Sequence, residues 1–468
     1  MKRFVFVISI SCMLILSFTA CGKVTTVKAQ TSIDAVAKYL STATGGANVD
    51  NPVPLTVKID LQNMLAADSG WKKLLGAINT AGKYVTLDLS ACTMPGTVFD
   101  PDPSFADGKK FIVALILPDT TLSITESEQK YSHSPFQYFI CLSSIPIGKN
   151  ITSIVAGLFY MMQLDSIIIP DTFTSIGDLA FGNCGLTSVT IPNSITYIGD
   201  SAFWNCELTN VTIPNSVIYI GHSAFASNIL TGVTIPDSVT TIGDHSFAGN
   251  QLINVTIGNG VTTIGQGAFI GNQLTSVTIP NSVITIGDSA FVDNRLTSVV
   301  IGNGVITIGS SVFAGTYSNR GNLTSVSIPD SVTFVGSDAF AYNQLTSVTI
   351  PNGVTAIGEN AFAYNRLTDV AISNSVITIG RKAFNENQLS SIVIPNSVIE
   401  LYGDEFNNNP LTSITIGANV LIFTDFWGQS ASSGYNLGFW QSYNNSGKQA
   451  GTYTRPAANL NNRTWTRR

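Results

Sequence analysis

Charge is what this chain of 468 residues has least of. Asp, Glu, Lys and Arg make up 11% of it, against about 25% in a typical soluble domain. Hydrophobic residues reach 44%, so a large core is available and small polar groups, mainly Ser, Thr and Asn, must wet the surface. That composition suits a β-rich exterior and is unusual for a compact enzyme. Histidine is scarcer still, with His133, His222 and His245 the whole supply. His222 lies three residues before Phe225 and His245 two before Phe247. They occupy different positions of the local pattern and read as solvated surface residues. Acid–base catalysis needs convergent titratable groups, and few are on offer. None of the six Cys forms a C-x-x-C pair, so no metal is expected. No G-x-x-x-x-G-K-[ST], H-E-x-x-H or EF-hand loop occurs, and no cofactor is expected. Gly221-His-Ser-Ala-Phe225 touches the G-x-S-x-G pattern but ends in Phe, and the same positions read Gly-Asp-Ser-Ala-Phe elsewhere. The net charge is −6. The one basic cluster, Arg455, Arg463, Arg467 and Arg468, reads as a frayed tail. Nucleic acid is therefore not an expected partner, since phosphate binding needs clustered Lys and Arg.

Long apolar runs are also missing beyond the first twenty residues, so nothing later spans a membrane. Lys2 and Arg3 precede an apolar stretch from Phe4 to Phe18, then Thr19-Ala20 and Cys21. A charged start, a short apolar run and small residues make an export signal. It resembles a bacterial lipoprotein signal, with Phe18 where Leu is usual. The resemblance implies cleavage after Ala20 and a lipid on Cys21. Loss of Lys2 and Arg3 leaves a mature chain nearer −8.

What the chain has in abundance is itself. Leu186, Leu208, Leu230, Leu252, Leu274 and Leu296 lie 22 residues apart. After one gap of 27 the series resumes at Leu323, Leu345, Leu367, Leu389 and Leu411, and backwards it reaches Leu164 and Leu142. That makes twelve units and a half unit, with five extra residues in 316–321. One unit reads LTSVTIPNSVITIGDSAFVDNR, from Leu274 to Arg295. Val277 and Ile279 share one face of a strand while Ser276 and Thr278 face the other way. Pro280 ends that strand. Val283 and Ile286 turn inward, Gly287 permits a bend, and Ala290-Phe291 returns to the core. A single unit has too little to bury, so the units must stack into a one-dimensional solenoid.

The string L-x-x-V-x-I-P-x-S-V-x-x-I-G-x-x-A-F recurs with small substitutions in Leu208–Phe225, Leu230–Phe247, Leu274–Phe291 and Leu345–Phe362. It resembles the BspA-like leucine-rich repeats of bacterial surface proteins. That family usually has a 23-residue unit with Cys after the Phe, whereas this unit has 22 and mostly Asn. The resemblance implies a mainly β solenoid of about 12 coils, a cell-envelope location, no enzymatic role, and a host extracellular or bacterial surface protein as partner. The membrane would be met through the lipid alone. The segments expected are a signal at 1–20, a linker and small α+β N-terminal cap at 21–111, a divergent repeat at 112–141, the solenoid at 142–425 and a C-terminal cap at 426–468.

The helix expected near Ile33–Leu40, a strand at Leu55–Leu61, a helix at Trp71–Ile78 and a strand at Tyr84–Leu89 make up the N-terminal part. Ile112–Leu117 and Ile124 mimic the two strands of a coil. A column of Cys184, Cys206, Asn228, Asn250, Asn272, Asn294, Asn343, Asn365, Asn387 and Asn409 is expected to satisfy backbone groups of the adjoining coil. Whether Cys184 and Cys206 are bridged stays open: adjacent coils bring them within range, but parallel side chains disfavour the bond. Candidate contact residues are the aromatics that break the repeat, Tyr197, Trp204 and Tyr219 in one group and Phe334, Tyr342 and Tyr364 in a second. The outward Thr212, Thr234, Thr256 and Thr278 are further candidates. The leading expectation is an adhesin or interaction lipoprotein. A self-associating envelope protein and a binder of carbohydrate or another regular surface are the alternatives, and an enzyme sited in the flanks is the least favoured.

Overall fold

Val and Ile alternating with Thr and Ser give each 22-residue unit one apolar strand face, and the units pile those faces on one another. The computed structural model describes residues 27–468 apart from 102–103, 125–133, 137, 143–149, 163, 165–166, 319, 419, 423–436 and 456–464. Cys21, His133, Trp427, Tyr435 and Arg463 lie outside the described residues.

Thirteen two-residue strands, one per coil from Ser153–Ile154 to Leu421–Ile422, form a single parallel sheet. Register steps by one unit, as in Ser153↔Ser175 and Thr263↔Thr285. The insertion is absorbed without loss of register, since Thr307 pairs with Phe334. The twelve units and the half unit thus supply thirteen turns of a mainly β solenoid. On a second side, four-residue strands pair in twos: Gly232–Ile235 with Asn254–Ile257, Ser276–Ile279 with Ser298–Ile301, and Ser347–Ile350 with Asp369–Ile372. The third side is a turn in which thirteen Phe rings stack from Phe136 to Phe406, with centroids 5.1–5.8 Å apart. Gly287 is there for close packing, not for a bend. Its φ is ordinary, but a Cβ would sit 2.6 Å from the Gln266 amide nitrogen of the coil before.

Before the repeats, helix α1 (Ile33–Thr42) and helix α2 (Gly70–Ala81) flank a three-stranded parallel sheet of Val53–Thr56, Val85–Asp88 and Ile112–Ile116. Ser32 and Ser69 cap the two helices by accepting from Ala35 and Lys72 N–H. The first strand starts at Val53 and stops at Thr56, with single bridges at Val57 and Asp60 instead of a run to Leu61. This part shares one apolar core with the solenoid. Buried Lys109 reaches across with its ammonium 5.5 Å from the Phe139 ring.

At the far end, helix α3 (Leu437–Asn445) buries Phe439, Trp440 and Tyr443. Trp440 Nε1 donates to Gly403 O at 2.8 Å and the Tyr443 hydroxyl to Gly417 O at 2.9 Å. Gly451–Thr454 pairs antiparallel with Ser413–Ile416, and Thr466–Arg467 pairs with it in turn. Arg455 and Arg467 are therefore tied down and not part of a frayed tail. Arg455 is buried, donates from Nε to Leu411 O at 2.6 Å and lies 4.9 Å from the Trp465 ring. Apolar neighbours, not exposed charge, explain its place.

Candidate binding surface

Stacking leaves the interior nothing to display, so the columns that point outward carry whatever the molecule does. Thr234, Thr256 and Thr278 on the four-residue strands, and Thr212 at a single bridge in line with them, are all exposed. Their column is hydroxyl only over five coils from Thr190. It ends in Ile168, 74% exposed, on one side and Val300, 58% exposed, on the other. Past Val300 the paired strands are interrupted, and an open groove of about 650 Å³ lies over residues 325–330, 347–352 and 371–373. Ser327, Ser347, Thr349 and Ser373 line it, and Asp330 is its one ionisable side chain. A single carboxylate cannot do paired acid–base work.

The aromatic groups are divided by the fold. Tyr197 and Tyr219 pair on the short-strand sheet, with rings 5.1 Å apart and 9° from parallel. Tyr197 and its neighbour Ile218 are well exposed. Burial and then the carboxylates of Asp178 and Asp200 raise the Tyr197 phenol; for Tyr219 burial leads, followed by Asp200. Trp204 is elsewhere, on the Phe-stack turn, where its carbonyl accepts from Asn183 N–H at 2.6 Å. Phe334 belongs to the short-strand sheet between Thr307 and Ala356. Tyr342 and Tyr364 lie on the turn side, stacked at 4.3 Å and 5°. Both have left-handed backbones, φ 58° and 59°, a conformation that costs a non-glycine residue about 1–2 kcal/mol. Two columns per coil share this geometry, and most members are Ser, Asn, Asp or Gly.

The Asn column works in both directions. Asn228 Nδ2 donates to Phe203 O of the preceding coil at 2.8 Å, and its Oδ1 accepts from Leu208 N–H at 3.1 Å. Asn250, Asn272, Asn294, Asn365, Asn387 and Asn409 repeat the donation at 2.9–3.0 Å. Asn343 spans the insertion to Phe313 O at 2.8 Å. Cys184 and Cys206 give the same carbonyl position a thiol donor, at 2.8 and 3.1 Å to Phe159 and Phe181 O. Both are free thiols. Burial pushes Cys206 up to about 12 and raises Cys184 as well, which makes both poor nucleophiles.

Sequence reading passed over three features. Asp200, Asp244 and Asp288 each accept, through Oδ1, the N–H one coil on, as in His222 N to Asp200 at 2.8 Å. Their recurrence after Gly was the available signal. His245 is half-buried rather than solvated, because its ring meets the His222 ring edge-on at 5.6 Å. Glu405 takes the Ala place before Phe406 and is fully buried. It accepts from Tyr402 and Gly403 N–H, and burial pushes it up to about 8. Beside it Asp404 pairs with Arg381 at 3.1 Å. Among the described residues no group of three His, Cys, Asp or Glu is placed to hold a metal ion.

A family model described as a BspA type leucine-rich repeat region of six copies matches residues 129–247, 196–320 and 314–426, well over half of the chain. Among solved structures, a leucine-rich repeat protein of Bacteroides ovatus is 26% identical with TM-score 0.44, over 58% of this chain and 80% of that one. A leucine-rich cell surface protein of Faecalibacterium prausnitzii is 27% identical with TM-score 0.36, over 58% and 78%. The pneumococcal vaccine antigen PcpA is 19% identical with TM-score 0.38, over 66% and 85%. No curated protein matches the chain.

Proposed function

This chain belongs to the BspA-type leucine-rich repeat family, and we propose that it is a bacterial cell-surface adhesin, held by a lipid on Cys21, that binds a host extracellular or bacterial surface protein. Such repeats are a protein-interaction scaffold, not a catalytic family. The observation that carries the reading is the contrast between a uniform interior and the stacked Tyr197–Tyr219 pair, in which Tyr197 is exposed and Tyr219 half-buried. Tyrosine supplies large contact area at low entropic cost and is enriched in binding hot spots. In this reading the N-terminal helices and α3 cap the apolar ends of the stack.

The test is capture of host and bacterial surface proteins by the chain from residue 22 onward. Tyr197→Ala with Tyr219→Ala should cut capture sharply; undiminished capture would remove this face as the contact. Cys21→Ser should release the protein from the membrane fraction.

A second reading, binding to carbohydrate or another regular surface, draws on the five-coil Thr column. Ala at Thr234, Thr256 and Thr278 should then abolish a glycan-array signal that the Tyr variant keeps.

A further inference from the structure

We propose that the turn edge beside the insertion is a separate docking surface, which takes an acidic segment of a partner protein by setting Arg320 and Arg366 next to the stacked Tyr342 and Tyr364. It is independent of the Tyr197–Tyr219 face.

Charge singles it out. Residues 150–294 contain nine Asp and Glu and no Lys or Arg. The cations of residues 150–425 are Arg295, Arg320, Arg366, Arg381 and Lys382. Asp404 already holds Arg381, whereas Arg295, Arg320 and Arg366 are exposed. Arg295 and Arg366 occupy equivalent places in their coils, each donating its backbone N–H to the Leu of the coil before. Between them Gln344 Nε2 donates to Asn322 Oδ1 at 3.1 Å. In an otherwise acidic solenoid, the guanidinium groups gather along one edge.

The backbone singles out the same place. The largest change of period among the described coils falls here, and the insertion docks on the Tyr turn through Gly321 N–H to Tyr342 O at 2.8 Å. Tyr317 on the insertion is 83% exposed. The column that holds Tyr342 and Tyr364 has Met161 in its first coil and then Asn183, Asn205, Ser227, Gly249, Gly271 and Asp293. Tyr is a poor choice for a left-handed backbone, and such strain persists where it serves a function.

Chemistry sets the ligand class. The two rings close their facing sides on each other at 4.3 Å, so they make a poor platform for a sugar ring. What they present is ring edges and two hydroxyls bonded to each other, with the Arg320 guanidinium fork close to Tyr342. Forks of this kind match carboxylates, and Tyr with Arg is the pairing that dominates protein–protein hot spots. Asp293 and Glu386 lie at the two ends of the edge, where Glu386 already accepts from Asn408 Nδ2 at 2.7 Å. The Asp338 carboxylate is close enough to act on the Tyr342 phenol and is the acid that a bound segment has to displace or avoid.

The experiment is fluorescence anisotropy of a labelled octaglutamate peptide with the chain from residue 22 onward, with octalysine and heparin in parallel. Octaglutamate should bind saturably and weaken with salt. Arg320→Gln with Arg366→Gln should weaken it by about tenfold or more. Tyr342→Asn with Tyr364→Asn should weaken it too, without lowering the melting temperature, because Asn is the residue this column prefers. A purely structural role for the tyrosines would instead lower the melting temperature and leave binding alone. If the Tyr variant unfolds, the Arg variant, whose side chains are exposed, decides. Binding unaffected by the Arg changes, or octalysine bound as tightly, would overturn the proposal. Heparin bound where octaglutamate is not would overturn it in favour of an anionic glycan.

Discussion

Two runs of coils, 186–294 and 323–387, are built alike inside and differ outside. Phe269 and Phe362 stack on their neighbours at nearly the same spacing, 5.3–5.5 Å. Asn272 and Asn365 each donate to the preceding Phe carbonyl at 2.9 Å. Outside, the first run has Asp200 and Asp244 near a Tyr pair on the short-strand sheet, and the second has Arg and Tyr on the turn edge. The difference teaches which positions the fold constrains. A coil is free to vary only where its side chains leave the stack, so departures from the repeat are the places to look for contacts.

The comparison can be broken first at the core. Phe269→Ala and Phe362→Ala should each cost about 3–5 kcal/mol, and by the same amount, in urea unfolding. A large inequality would mean that the two interiors are not equivalent. The turn column comes next. Asn272→Ala and Asn365→Ala orphan the Leu252 and Leu345 N–H groups, at about 1–3 kcal/mol each, and leave the Phe247 and Phe340 carbonyls with only the 3.2 Å bonds from Asn250 and Asn343. Asn272→Cys should cost less, because a thiol keeps the donor as Cys206 does.

One coil breaks the interior rule, and pH exposes it. Glu405 replaces an Ala, and burial lifts it from 4.5 to about 8. A raised folded-state value means that the native chain holds this proton more tightly than the unfolded one. Its stabilising share is complete below pH 4.5 and is lost as pH rises towards 8. The melting temperature should fall across that window, and Glu405→Gln should flatten the fall. The smallest expected effect sharpens the outer contrast. Tyr342→Asn relieves a left-handed strain of about 1–2 kcal/mol and gives up a ring stack of about 0.5–1.5 kcal/mol, for a net change near zero. The reverse change, Ser227→Tyr, should destabilise the chain by thermal melting.

The solenoid was legible because its signals are periodic. Leu at every 22nd residue, Val-x-Ile and the Asn column each repeat one physical demand, and the thirteen turns follow from them. The strand limits near Leu55 and the ordered tail were not legible. Val53 and Arg455 owe their places to partners far along the chain, Tyr84 O and Leu411 O. The grouping of Tyr197, Trp204 and Tyr219 from sequence overlooked side-of-coil geometry. Seven residues separate Tyr197 from Trp204, about a third of a unit and one full side. The role of Gly287 was misread for a related reason: close approach of the neighbouring coil is invisible in one unit.

The most direct test of this account is capture of surface proteins by a variant with a repeat-like exterior, Tyr197→Thr, Tyr219→Thr, Tyr342→Asn and Tyr364→Asn, checked for an unchanged melting transition. Loss of capture by a fully folded variant is the result expected. Full capture by that folded variant would contradict the claim that binding resides where the outer surface departs from the repeat.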